Sequence, residues 1–212
     1  MKTARLTAAL LLCAVMLLTL TSCLNAESKK FIGTWESEFD IAEYINAAIS
    51  ETMGEYAEYY HTDSLVMVLR ISYYDDGMYI MTVDSELFAK ECAKLVPAFT
   101  EGVRKTYEDI AGDRATTAEA LLAEVGKTYD EIARDTVSAL NAEGMADVMK
   151  RAGKFKADGE RLYMSGNINE AIGSSYETYR FTDDGGLILT GYVGDNTDGN
   201  PFTYPMEFTK VK

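Results

Sequence analysis

The chain has 212 residues, of which 47% are hydrophobic, and it carries 34 acidic side chains against 20 basic ones. This composition predicts one or two globular domains and excludes collagen, a disulfide scaffold and a disordered acidic tail, because enough apolar surface is available to offset the entropy of ordering. The formal charge of −14 argues against nucleic acid as a partner, since phosphate binding needs a basic surface.

The first residues have the pattern of an export signal. Lys2 and Arg5 precede the uncharged apolar run Leu6–Leu20. The run is shorter than the ~20 residues of a comfortable membrane span. Its length and its positive flank are typical of a secretory signal peptide.

The run ends in a Leu-Thr-Ser-Cys sequence at residues 20–23, which resembles the lipobox of bacterial lipoproteins. The resemblance implies that residues 1–22 are removed and that Cys23 carries a diacylglycerol with palmitate-type chains. Residues 23–30 would then be a lipidated tether to the cell membrane, facing outside the cytoplasm. An ordinary signal peptide with cleavage nearby, or an uncleaved anchor, is the alternative.

The folded part begins with a strand and a helix. Phe31–Ser37 is rich in β-branched and aromatic residues and predicts the first strand. Asp40 and Glu43 have capping-box spacing, and apolar residues then recur every three or four positions. We expect a helical segment over about 40–60, weakened or broken at Gly54.

A hairpin and a helical insertion follow. Residues 64–84 predict two strands around an Asp-Asp-Gly turn. A helical period then continues over roughly 85–151, and Pro97 either kinks a helix there or begins a new one. The insertion also contains two pairs with capping-box spacing, Thr116 with Glu119 and Thr128 with Glu131.

The last part of the chain returns to strands. Five strand candidates with close turn signals lie over residues 152–212, which brings the total to about eight. Close turns favour antiparallel pairing, and eight strands can close a small barrel. We therefore predict an α+β fold in a single domain, 31–212, formed by an antiparallel β-barrel of about eight strands with a helical insertion.

The order of these elements is similar to that of a known family. The sequence Gly33-Thr34-Trp35 resembles the Gly-x-Trp motif that opens the lipocalin barrel, and the strands over 64–84 and 152–212 resemble lipocalin-like bacterial lipoproteins. The resemblance implies that Gly33 and Trp35 form a structural motif at the barrel floor, and that the barrel binds a small apolar molecule. The helical insertion could cover the mouth, fill the barrel or form a platform of its own.

No sequence pattern indicates catalysis or a metal site. His61 is the only histidine, so paired-His zinc sites and His-dependent triads lack a member. Cys92 lies on an apolar helix face, where a buried, inert thiol is expected, and no internal disulfide is predicted. Residues 195–200 look like a calcium loop but lack the first and twelfth carboxylates of that motif. We expect no enzyme activity, no cofactor and no bound metal.

Four tyrosines cluster in the first helical segment. Such a surface could stack on sugars or bind a partner, but we favour rings that pack on the sheet with their hydroxyls toward water. These tyrosines are Tyr44, Tyr56, Tyr59 and Tyr60.

Together these patterns predict a membrane-anchored envelope lipoprotein that binds a small apolar or amphipathic ligand in its barrel without catalysis. The alternative is an interaction module, in which the helical insertion over 85–151 presents a surface to another envelope protein. Carboxylate-based hydrolysis has no positive motif.

Overall fold

A computed structural model of the chain describes residues 24–140, 142–194 and 203–211. Its eight strands form a closed antiparallel barrel in which each strand pairs with the next along the sequence. The predicted α+β barrel with a helical insertion is therefore confirmed. The predicted signal peptide, Cys23 and the loop at 195–200 lie outside the described residues.

The strands and helices alternate along the first two thirds of the chain. The strands are β1 (Gly33–Asp40), β2 (Val66–Tyr73), β3 (Met78–Val83), β4 (Arg151–Asp158), β5 (Arg161–Met164), β6 (Tyr176–Phe181), β7 (Leu187–Val193) and β8 (Met206–Lys210). The α-helices are α1 (Ala26–Phe31), α2 (Ala42–Met53), α3 (Ser85–Ala93), α4 (Val96–Asp113), α5 (Ala118–Val125), α6 (Tyr129–Ala139) and α7 (Ala142–Met149), and a 3-10 helix spans Gly54–Tyr60.

The chain divides into two compact units. Unit 1 comprises Met1–Trp35, Ile71–Ile80 and Arg151–Lys212, and unit 2 comprises Glu36–Arg70 and Met81–Lys150. Unit 1 holds α1, the tip of the β2–β3 hairpin and β4–β8. Unit 2 holds the other helices and the remaining parts of β1, β2 and β3.

Helix α1 occupies part of the segment predicted as a tether. Asn25 caps this helix, because its Oδ1 accepts a hydrogen bond from the Ser28 amide at 2.8 Å. Both side chains also bind β4: Asn25 Nδ2 donates to the Ala157 carbonyl at 2.7 Å, and the Ala157 amide donates to Ser28 Oγ at 2.8 Å. The polar residues read as a tether thus fasten a helix to the barrel, and β1 begins after Phe31, at Gly33.

Aromatic side chains pack against one another in the interior of unit 1. Phe31, the last residue of α1, is fully buried. Its ring lies 4.7 Å from Tyr179, 5.2 Å from Phe181 and 5.3 Å from Tyr73, all in edge-to-face geometry. Such pairs add to the stabilisation that burial alone provides. Helix α1 therefore contributes its C-terminal side chain to the core.

The first helical segment of unit 2 differs in part from its prediction. Helix α2 ends at Met53, and Gly54 has a φ of 57°, so the predicted break is confirmed. Ile41 is the N-cap, with no side-chain cap bond. The predicted cap residue, Asp40, instead accepts hydrogen bonds from the Ala42 and Leu65 amides at 2.8 and 2.9 Å. Its carboxylate joins the start of the helix to the segment before β2.

The insertion is helical, as predicted. Pro97 lies in the first turn of α4, so it begins a new helix and does not kink one. The capping box of Thr128 and Glu131 is present at the start of α6. The other predicted box, Thr116 with Glu119, is not formed. Thr117 is the N-cap of α5 and accepts from the Ala120 amide, and an alanine at this third helical position cannot complete a box.

Two tyrosines of the 3-10 helix, Tyr59 and Tyr60, contact helix α4. The Tyr60 ring lies 5.5 Å from that of Phe99 in α4, and the two oxygens of Tyr60 Oη and Thr106 Oγ1 are 3.0 Å apart. Tyr59 Oη donates to the Asp109 carboxylate at 2.7 Å. Tyr44 is 64% exposed. The prediction that these rings pack on the sheet therefore fails for Tyr44, which is exposed, and Tyr60 packs its ring on an apolar residue of α4.

Candidate functional site

The predicted structural motif at Gly33 and Trp35 has a clear physical basis. Gly33 has a φ of 124°, a conformation that side chains disfavour, and a Cβ there would lie 2.6 Å from Lys210 Cε. The Lys210 ammonium lies 5.1 Å from the centre of the Trp35 ring. Trp35 is buried, and its indole N–H donates to the Phe31 carbonyl at 2.7 Å. Both residues therefore have packing roles.

The barrel register places one acidic side chain inside. Glu177 of β6 pairs with Leu162 of β5, which in turn pairs with Ala157 of β4. Leu162 and Ala157 are both 0% exposed. Since directly paired residues in an antiparallel sheet share a face, Glu177 points into the barrel with them. The carboxylate therefore enters an apolar interior.

A β-bulge lies between β6 and β7, close to Glu177. On β6 and β7, Thr178 pairs with Gly191 while Tyr179 pairs with Leu189, so Thr190 has no partner in the register. The extra residue brings Tyr192 opposite Glu177. Bulges of this kind re-aim side chains and are over-represented beside functional sites.

The two oxygens of Glu177 have different surroundings. Oε1 accepts a hydrogen bond from Tyr204 Oη at 3.1 Å. Oε2 is buried and is the one buried side-chain nitrogen or oxygen within the described ranges that lacks a hydrogen-bond partner. Burial raises the pKa of the carboxyl to about 7, although the hydrogen bond from Tyr204 acts in the opposite direction.

Unit 1, which contains Glu177, also contains two buried tyrosines, Tyr73 and Tyr79. Tyr73 Oη has a weak acceptor, Met164 Sδ at 3.8 Å, and Tyr79 Oη donates to the Ser165 carbonyl at 2.7 Å. Burial raises the pKa of both hydroxyls, and the negative charge of Glu177 raises each further. We define the Glu177 site as Glu177, Tyr73, Tyr79, Met164 and Tyr204.

Glycine at position 153 makes room for one of these rings. A Cβ on Gly153 would lie 2.6 Å from the Ser165 carbonyl oxygen and 2.9 Å from Tyr79 Cε1. Ser165 is itself fixed, because its Oγ accepts from the Lys154 amide at 2.8 Å and donates to the Asn167 carbonyl at 2.9 Å. The backbone of β4 and the segment after β5 thus hold Tyr79 in place.

The Glu177 site can accept a hydrogen bond from a bound donor. A carboxyl with a raised pKa acts in proteins either in proton transfer or in ligand binding. Both tyrosine hydroxyls keep their protons at neutral pH, since their pKa values are raised. The arrangement offers a buried acceptor, Oε2, beside apolar and aromatic side chains.

The other residues singled out by sequence lie elsewhere. The His61 side chain is 62% exposed and lies 3.6 Å from Asp63. Cys92 is buried in unit 2, and burial raises the pKa of its thiol. Within the ranges described, no three His, Cys, Asp or Glu side chains are grouped so that they could hold a metal ion.

Unit 2 contains two grooves of its own. One has a volume of about 340 Å³ and is lined partly by Glu143 and Asp147, and the other has about 320 Å³ and is lined partly by Cys92 and Arg134. Neither contains a buried polar side-chain atom without a partner, since the described chain has that feature at Glu177 alone. The Glu177 site is therefore the stronger candidate.

Glu177 was not identified from the sequence. Residues 177–181 are one of the five strand candidates over 152–212, and alternation puts Glu177 on the same face as Tyr179 and Phe181. A charged residue on the aromatic face of a strand is the signal that could have identified Glu177.

The helices of the described chain include none that is long and apolar enough to cross a bilayer. Comparison of the chain with protein-family models, with curated proteins and with solved structures gives no match.

Proposed function

We propose that the protein binds a small amphipathic molecule inside its barrel, without catalysis, and that the polar end of this molecule lies at the Glu177 site. The observation that carries the proposal is the buried, unpartnered Oε2 of Glu177. Leaving a buried acceptor unpaired costs about 1–3 kcal/mol, and more for a charged group. A ligand with a hydrogen-bond donor would recover that cost.

The architecture supports this proposal. The strands pair in sequence order around a closed barrel, which is the up-and-down arrangement of lipocalin-like barrels. An eight-stranded barrel has room for packed side chains or for one small ligand. Leu162, Met164 and Leu189 would provide apolar contacts, because their register pairs place them on the face that Glu177 shares.

We also propose that acylation of Cys23 holds the protein at the outer face of a bacterial cell membrane. The lipobox-like sequence at 20–23 supports this location. The anionic body would be repelled by anionic head groups, so the lipid would supply the attachment.

The alternative role, a docking surface on the helical insertion, has weaker support. Leu87, Val125 and Val148 are 43%, 51% and 83% exposed. They lie on three different helices of unit 2, and single exposed apolar side chains are normal on soluble proteins. We therefore prefer ligand binding, because Glu177 Oε2 is a buried acceptor without a hydrogen-bond partner.

The proposal can be tested with a reporter inside the barrel. The Met164 sulfur lies 3.8 Å from Tyr73 Oη, so a ¹³C-labelled Met164 methyl group would sense an occupant. We expect hexan-1-ol to shift this NMR resonance saturably in the purified full-length chain. The Met149 methyl, in unit 2, serves as the control and should not move. No shift at Met164, or equal, unsaturable shifts at both methyls, would contradict the proposal.

A further inference from the structure

The carboxylate of Glu177 has no ion-pair partner among the described residues, although the positive charge of Arg151 acts on Tyr79 and by itself lowers the pKa of its hydroxyl. No Lys or Arg there forms an ion pair with this carboxylate, although nine such pairs occur elsewhere in that part. The basic side chains nearest along the strands are turned outward. Arg161 pairs in register with Thr178, and its guanidinium lies over the Tyr176 ring at 4.9 Å; Arg180 is exposed. Oε2 therefore has neither a hydrogen-bond donor nor an ion-pair partner among the described residues.

The neighbours of the carboxylate favour an organic cation. Tyr204 donates to Oε1, and the charge of Glu177 reaches both Tyr73 and Tyr79. Tyrosine rings attract cations through their quadrupoles, most strongly where water is excluded. Leu162, which pairs with Glu177, is completely buried and gives the same region an apolar wall.

We propose that the Glu177 site selects a protonated primary or secondary amine carried on a short apolar chain. This inference rests on the proposed function and adds the chemical class of the ligand. The ammonium N–H donates to Glu177 Oε2 and neutralises its charge. A carboxylate ligand is repelled, an alcohol gains the hydrogen bond without the charge, and a quaternary ammonium has the charge without an N–H donor.

A series of six-carbon probes separates these contributions. Hexylamine, hexan-1-ol, hexanoate and hexyltrimethylammonium share one apolar chain and differ in the head group. Each is titrated near pH 8 into the purified full-length chain, with the Met164 methyl resonance as readout. The matched variants are Glu177→Gln, which keeps the shape of the side chain, and Glu207→Gln, which removes an exposed carboxylate from β8.

We expect hexylamine to bind the unmodified chain about 10- to 100-fold more tightly than hexan-1-ol. Hexyltrimethylammonium should bind more weakly than hexylamine, and hexanoate most weakly of the four. Glu177→Gln should abolish the preference for the amine while retaining hexan-1-ol binding, which also shows that the variant is folded. Glu207→Gln should keep the preference.

Two results would overturn the inference: equal binding of hexylamine and hexan-1-ol by the unmodified chain, or an undiminished preference for the amine in Glu177→Gln. In either case hexan-1-ol still binds and the proposed function stands. Failure of all four probes to shift Met164 would overturn the proposed function as well.

Discussion

The carboxyl group of Glu177 links the charge state of the barrel to folding. Burial raises its pKa from 4.5 to about 7, so the folded chain holds this proton at a pH where the unfolded chain has lost it. Because the folded state binds more protons between these values, the free energy of unfolding falls as pH rises through this window. Above it, the cost of the buried charge is constant.

The first prediction tests this linkage. Glu177→Gln cannot ionise but still offers an acceptor to Tyr204. Its stability relative to the unmodified chain should increase from pH 4 to pH 8 by on the order of 3 kcal/mol, since each pKa unit corresponds to about 1.4 kcal/mol. Urea unfolding followed by the fluorescence of Trp35, the only tryptophan, reports on unit 1.

The exposed residue Glu207 gives the control. Glu207→Gln should follow the pH profile of the unmodified chain. A difference between Glu177→Gln and the unmodified chain that stays constant over this pH range would show that the carboxyl is not perturbed.

At the scale of the elements, the contact between the 3-10 helix and α4 depends on Gly102, which has no side chain. A Cβ on Gly102 would lie 2.4 Å from the Tyr59 carbonyl oxygen and 3.1 Å from Tyr60 Cδ1. The backbone of the 3-10 helix thus approaches α4 where Gly102 leaves space. This approach lets Tyr60 reach Phe99 and Thr106.

The two glycines of α4 form a matched pair for the second prediction. Gly102→Ala should destabilise unit 2 by about 1–3 kcal/mol, because a backbone contact must shift. A Cβ on Gly112 meets nothing within 4 Å, so Gly112→Ala should stabilise the helix by about 0.5–1 kcal/mol. Urea unfolding followed by far-ultraviolet circular dichroism measures both. Equal effects of the two substitutions would show that the close approach is absent.

At the scale of the whole molecule, the barrel is assembled from distant parts of the chain. The strands before and after the insertion are neighbours in the order β3, β4, although the five helices α3–α7 separate them in sequence. An insertion between adjacent strands leaves the pairing order unchanged. The helical segments can therefore vary without altering which residues face the barrel interior.

The proposed lipid anchor would also act on the whole molecule. Cys23→Ala should abolish incorporation of radiolabelled palmitate in cells and leave the precursor uncleaved, because the acylated thiol is the substrate for processing. Cys92→Ala should retain both, since Cys92 is buried in the folded chain. The measurements are autoradiography and the mobility of the precursor on a gel. A processed Cys23→Ala protein that remains in the membrane fraction would contradict the lipoprotein proposal.

Sequence patterns predicted the fold better than the site. The hairpin predicted over residues 64–84 is present, because alternate residues from Leu65 to Tyr73 are apolar and all of them are buried. The sequence alone did not predict helix α1. Asn25 and Ser28 look like solvent-exposed tether residues in the sequence, and only the fold shows that they bind β4. Sequence patterns also missed Glu177, because its burial depends on partners from β5 and β7.

Helix α1 has a consequence for how an anchored protein would be held. Only Leu24 lies between Cys23 and Asn25, and two extended residues reach about 7 Å. A lipid on Cys23 would therefore have almost no slack before the hydrogen bond from Asn25 to Ala157. The end of β4 would lie close to the lipid head groups, and a force on the lipid would act directly on this strand of the barrel.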